Sequence, residues 1–90
     1  MPERRVVVGS KVGLHARPAA IFVQAAAKQP VKVSIAKGEG GAAVDARSIL
    51  AVLGLDVRGG QEVVLSAEGD AAETALDELA EVVATDHDAT

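Results

Sequence analysis

The sequence predicts an α+β fold, an open-faced βαββαβα sandwich in which a four-stranded, mainly antiparallel sheet carries three helices on one face. Three observations predict it. Segments with apolar residues at every second position alternate with segments whose apolar residues recur at i, i+3, i+4 and i+7. Glycine and proline mark the changes of period. The strand segments are few and each keeps a polar edge, so helices are expected to cover one face of the sheet and leave the other to water.

Each element has its own signal. Arg4 to Val8 reads as the first strand, from its consecutive valines. Gly9 to Leu14 reads as a loop. Ala16 to Lys28 reads as a helix with Ala19, Phe22, Val23 and Ala26 on its apolar stripe, stopped by Pro30. Val31, Val33 and Ile35 alternate with Lys32, Ser34 and Ala36, which is a half-buried strand. The turn Gly38-Glu39-Gly40-Gly41 leads back into a short strand over Ala42 to Val44. Ser48 to Leu53 reads as a short helix and Gln61 to Ala67 as the fourth strand, with Val63, Leu65 and Ala67 on one face. The last helix runs from Asp70 to about Ala84. Asp70 and Glu73 are spaced as an N-cap and a first-turn acid, and Ala72, Ala75, Leu76, Leu79 and Val83 form its core stripe. Residues 85–90 read as a frayed polar tail, so 1–90 is expected to be one domain with a disordered end.

Composition narrows the function. The chain is 49% hydrophobic and 24% charged, which is globular, but only 1% aromatic, so its core must be aliphatic around the single Phe22. There is no cysteine, which excludes a disulfide scaffold, a thiol nucleophile and a thiolate zinc site. His15 and His87 with the available carboxylates make no persuasive metal site, and no cofactor is implied. The formal charge of −4 and the lack of stacking aromatics argue against nucleic-acid binding. No apolar run approaches the roughly 20 residues that span a bilayer, and the valines after Arg4-Arg5 stop at Gly9, too soon for a signal peptide. The expectation is a cytoplasmic protein without membrane insertion.

The run Gly13-Leu14-His15-Ala16-Arg17-Pro18-Ala19-Ala20 carries the chemistry. It sets His15 at a helix start, where backbone N–H groups lack intrahelical partners and favour an anion. Pro18 suits the first turn, and Arg17 adds a planar donor fork that matches phosphate. The set fits a histidine that accepts a phosphoryl group. A lone histidine at a helix start is more often a solvated cap than a catalytic group, and the octapeptide's chemistry leaves both readings open. His87, between Asp86 and Asp88, reads as solvated and without function.

The octapeptide closely resembles the active-site signature of the HPr family, the histidine-containing phosphocarriers of the bacterial phosphoenolpyruvate-dependent sugar phosphotransferase system. Ala46-Arg47-Ser48-Ile49-Leu50-Ala51-Val52-Leu53 resembles the family's regulatory-serine region, and Glu62-Val63-Val64-Leu65-Ser66-Ala67-Glu68-Gly69 its last strand. Together they span about residues 4 to 84. The resemblance implies the same open-faced fold. It implies that His15 accepts a phosphoryl group from enzyme I and passes it to enzyme IIA proteins. Arg17 and the amides of Ala16 and Arg17 would then stabilise the phosphoryl group, and the family's phosphorylated nitrogen is Nδ1. The chain would be a carrier and not an enzyme in its own right. A shuttle that must expose its site to two partners is expected to be a monomer.

The resemblance also implies a docking patch, for which Leu14, Ala16, Ala20, Arg47, Ile49, Leu50 and Leu53 are the candidates, with Lys11 as a flanking charge. Leu50 lies off the stripe shared by Ile49 and Leu53 and is the better expectation for exposure. Ser48 matches a serine that a dedicated kinase phosphorylates in many relatives; the plainer reading is an N-cap. Relatives with that switch usually carry glycine where Asp56 stands, and Val12 stands where relatives often have a polar residue. Two other classes fit the residues: a regulatory module of the same family, read by other proteins according to its phosphorylation state, and a plain interaction domain in which His15 is only a cap. A stand-alone hydrolase or metalloenzyme fits least, because no second catalytic group lies near His15 in sequence.

Overall fold

The computed structural model describes residues 2–38 and 40–86, so Met1, Glu39 and residues 87–90, with His87 and the end of the expected tail, lie outside the described residues. The elements are β1 (Glu3–Val7), α1 (Ala16–Ala27), β2 (Val33–Lys37), β3 (Val44–Asp45), α2 (Ile49–Gly54), β4 (Glu62–Ala67) and α3 (Ala72–Ala84). The four strands form one sheet in the order β1-β4-β2-β3, and every neighbouring pair is antiparallel. This is the expected βαββαβα order and fold class.

Register explains which face the helices cover. Val6 lies opposite Val63, Ile35 opposite Leu65, and Val33 opposite Ala67. Because side chains alternate across a strand, these residues share one face. Val33, Ile35, Val63 and Leu65 on that face are fully buried. The other face carries Glu3, Arg5, Ser34 and Ser66, none of them buried. Arg4 pairs with Leu65, so it stands on the helix side at the sheet edge. There its guanidinium donates to Glu73 and, at 3.1 Å, to Asp77 of α3. These bonds, to Glu73 first, hold its pKa above the ordinary arginine value.

The core is aliphatic around one aromatic ring. Ala19, Phe22 and Ala26 of α1 and Ala72, Ala75, Leu76, Leu79 and Val83 of α3 are buried, as their helical spacing predicts. Val23 is only half-buried and packs on the rim of the same cluster. In α2 the buried residue is Val52, with Leu53 and Leu55 packed against the core beside it.

Most boundaries shift by one residue from the sequence expectation, and three shifts have a visible physical cause. The β2 strand starts at Val33, after a bend at Val31 that follows Pro30. The β3 strand falls at Val44–Asp45 and not at Ala42 to Val44. It is fixed there by Asp45, whose Oδ1 accepts the backbone N–H of Arg47 at 2.9 Å; that bond first, with the Arg47 charge, holds the Asp45 carboxyl below the usual range. Asp70 is not the N-cap of α3. Gly69 turns at φ 108, Ala72 N–H donates to Gly69 O at 3.1 Å, and the helix starts beyond that turn with Ala71 as N-cap and no side-chain cap. At the other end Thr85 is ordered against α3, its Oγ1 donating to Glu81 O at 2.7 Å.

Phe22 is the largest fully buried side chain. Replacing it with alanine in a core of small aliphatic residues removes packing that nothing nearby refills. Phe22→Ala is expected to destabilise the domain by about 3–5 kcal/mol. Urea unfolding followed by far-UV circular dichroism measures this directly, and a loss below about 1 kcal/mol would show that the alanines collapse into the space.

Candidate functional site

The site is built by two loops that meet backbone to backbone. One runs from Gly9 to Leu14, between β1 and α1. The other runs from Leu55 to Gln61, between α2 and β4. Leu14 N–H donates to Val57 O at 2.9 Å, and Gly60 N–H donates to Val8 O at 3.0 Å. The approach requires glycine at two places. A Cβ on Gly13 would lie 2.1 Å from Val57 O, and one on Gly59 would lie 2.5 Å from Ser10 O. Gly13 also sits at φ 75, a conformation open to glycine at little cost. Leu14 then anchors the chain by burying its side chain, so the residue that follows is presented from a fixed point.

That residue is His15, the N-cap of α1, in extended conformation at φ −129 and ψ 162. Its side chain makes no cap hydrogen bond and is 35% exposed. Ala16 follows at φ 48, a left-handed conformation that costs a non-glycine residue about 1–3 kcal/mol. The amides of Ala16 and Arg17 lie in the first turn, where they lack intrahelical acceptors. Pro18, the next residue, has no N–H to lose and is buried. Arg17 is exposed and its side chain forms no hydrogen bond or ion pair among the described residues. An imidazole, two open amides and a free guanidinium therefore share one helix end.

The structure adds a residue that sequence reasoning did not place at the site. Asp56 Oδ1 lies 3.2 Å from Nε2 of His15. Asp56 stands just beyond α2, also with a left-handed backbone, at φ 51. Its N–H donates to Leu53 O at 3.1 Å, its carbonyl accepts from Lys37 Nζ at 3.1 Å, and its Oδ2 is 3.5 Å from Arg58 Nη2. The only sequence signal was its standing where relatives with the regulatory switch carry glycine. No group of three or more metal-ligating side chains occurs among the described residues.

The family described as "PTS HPr component phosphorylation site" matches residues 2–85. This chain belongs to the HPr family. It is 56% identical over 84 residues to the phosphocarrier protein HPr of Streptomyces coelicolor, covering 93% of this chain and 89% of the relative. It is 46% identical over 83 residues to the HPr of Haloferax volcanii, covering 92% of this chain and 93% of the relative. The crystal structure of HPr from Bacillus anthracis superposes with a TM-score of 0.84 at 40% identity, over 91% of this chain and 95% of that one.

Seen as an HPr, the chain sorts its remaining candidates by exposure. Leu50 is 80% exposed and Ile49 39%, while Leu53 packs against the core. Ala16, Ala20, Lys11 and Arg47 are exposed, and Val12 is 51% exposed. Arg47 faces Asp45 at 3.5 Å, which offsets part of its charge. Leu14 is a correction. At 2% exposure its side chain belongs to the core and offers a partner nothing, because the residue that fixes His15 must itself be fixed. Ser48 is the N-cap of α2, its Oγ accepting the Ala51 N–H at 3.3 Å.

Gly13→Ala tests the loop contact. Its Cβ would have to displace the Val57 carbonyl. The variant is expected to lose about 2 kcal/mol or more, combining backbone strain with a forced shift. Amide chemical shifts of His15 and Asp56 should move with it, and a variant that matches wild type in both stability and shifts would show that the loops part freely.

Proposed function

We propose that this HPr-family chain is a phosphocarrier that accepts a phosphoryl group from phospho-enzyme I on His15 and passes it to enzyme IIA proteins in phosphoenolpyruvate-dependent sugar uptake, in the cytoplasm and as a monomer. The observation that carries the reading is the placement of His15 as the N-cap of α1, beside the open amides of Ala16 and Arg17 and the unpaired Arg17 guanidinium. A phosphoryl group on the imidazole would bring anionic oxygens to a helix end that favours them. Arg17 supplies the charge-assisted donors.

A carrier has to give up what it takes, and the nitrogen–phosphorus bond of phosphohistidine suits both directions. Phosphoryl transfer depends chiefly on positioning and charge stabilisation, so the partner proteins can supply any metal and acid–base groups. The exposed Leu50 and Ile49 on α2, which packs against α1, offer the apolar contact that docking requires. Ser48 is read as a structural cap, since its hydroxyl is already engaged by the helix it starts.

Two outcomes are expected. Incubation with phosphoenolpyruvate and enzyme I should add one acid-labile phosphate by intact mass, absent from His15→Ala. A folded wild-type protein that gains none, beside a labelled reference HPr, would refute the reading. Leu50→Glu should slow phosphorylation by enzyme I about tenfold or more through lost apolar contact, with an unchanged unfolding midpoint, because the side chain it replaces is in water. Unchanged transfer kinetics would remove Leu50 from the interface.

A further inference from the structure

We propose that Asp56 is a positioning residue for the transfer: its carboxylate accepts a hydrogen bond from the Nε2–H of His15 and so leaves Nδ1 with a free lone pair to take the phosphoryl group. This rests on the carrier reading of His15. Oδ1 of Asp56 stands 3.2 Å from Nε2, within hydrogen-bond reach. A carboxylate can only accept, so in the neutral ring the partnered nitrogen carries the proton and the other nitrogen is bare. Carboxylates orient metal-binding and catalytic imidazoles by the same logic.

The placement of Asp56 is tightly determined. Its N–H is bonded to Leu53 O, its carbonyl to Lys37 Nζ, and its Oδ2 faces Arg58 at 3.5 Å. None of the backbone bonds needs the carboxylate. A backbone at φ 51 would be met with less strain by glycine, and asparagine tolerates it well. The turn therefore does not require an acidic side chain, whose two oxygens reach Arg58 and His15. Arg58 holds one oxygen of the carboxylate and leaves the other for the imidazole. Arg17 carries the only other side-chain charge on the first turn of α1.

The charge balance gives the carboxylate a second part. As Nδ1 attacks, its lone pair forms the new bond to phosphorus, and the donor's leaving atom keeps the electron pair of the bond that breaks. The Nε2 proton stays where it is. The ring changes from neutral to cationic during the step, and Asp56 faces the nitrogen that bears that proton. Both side chains are partly solvated, at 35% and 58% exposure, so the contribution is screened and moderate.

Nitrogen-detected correlation spectra of the His15 ring read the proton position, with His87→Gln used to separate the other histidine. Wild type is expected to hold the neutral ring as the Nε2–H form, and Asp56→Gly to show a mixture of both forms. Asp56→Asn can turn its amide N–H toward Nε2 and is expected to enrich the Nδ1–H form. Enzyme I–dependent phosphorylation should then fall in the order wild type, Asp56→Gly, Asp56→Asn, with kcat/KM for asparagine lower by about tenfold. A purely structural role predicts no such order, because glycine and asparagine both suit the backbone. An unchanged ring signature and equal rates in folded variants would overturn the role given to Asp56. A wild-type protein unlabelled by enzyme I would overturn the carrier reading itself, a separate failure.

Discussion

The close approach of two loops, Gly9 to Leu14 and Leu55 to Gln61, is the constraint on which the rest of the site depends. It leaves no room for a side chain between the Gly13 backbone and Val57 O, or between Gly59 and Ser10 O. Everything that follows is geometry inherited from that contact. Leu14 is pinned by its buried side chain and its bond to Val57, so His15 leaves a fixed point. Asp56, next to Val57, is brought to the same place. The helices contribute their ends: the start of α1 and the loop just past α2 meet at the imidazole, so its position is set by backbone and not by long, mobile side chains.

The same place holds the two left-handed non-glycine residues among the described residues, Ala16 and Asp56. One follows His15 and the other touches it. Strain of this kind persists only where surrounding structure over-determines it. Here that surrounding structure is the aliphatic core. Phe22, Leu76, Leu79, Leu65 and Ile35 are fully buried and carry the fold, which leaves the helix end free to be shaped by chemistry. The exposed Arg17 and the partly exposed His15 belong to the same division: what is buried serves stability, and the helix end stays open to solvent.

How much of this could be read in the residues depends on distance along the chain. Periodicity is local, so the stripes of α1 and α3 and the Val63-Leu65-Ala67 face of β4 were legible outright. The octapeptide was legible because its parts are contiguous. Ser48 was readable as a cap because a hydroxyl before an apolar run has one common use. Asp70 misled because cap chemistry was inferred without the φ 108 turn at Gly69, which moves the helix start past it. Leu14 misled because an apolar residue beside an active site fits docking and anchoring alike, and only burial separates them. The Asp56–His15 contact was silent. Nothing within either segment reports on the other, and the two glycines that bring them together look like ordinary loop residues.

The strand order also has a consequence for how the chain comes to rest. Of the four strands β1 is made before the others, and among the described residues it pairs only with β4, so Glu3 has no strand partner until Ser66 exists. β4 sits between β1 and β2 and is the common wall of the sheet, yet it is made late. During synthesis β1 therefore waits as an unpaired edge with Arg4 and Arg5 along it, charges that discourage association with other strands. Pairing β1 with β4 requires closing this long loop, and contacts of such separation are slow to form. The helix that follows His15 can form early, but its histidine gains its surroundings only once the loop before β4 has docked.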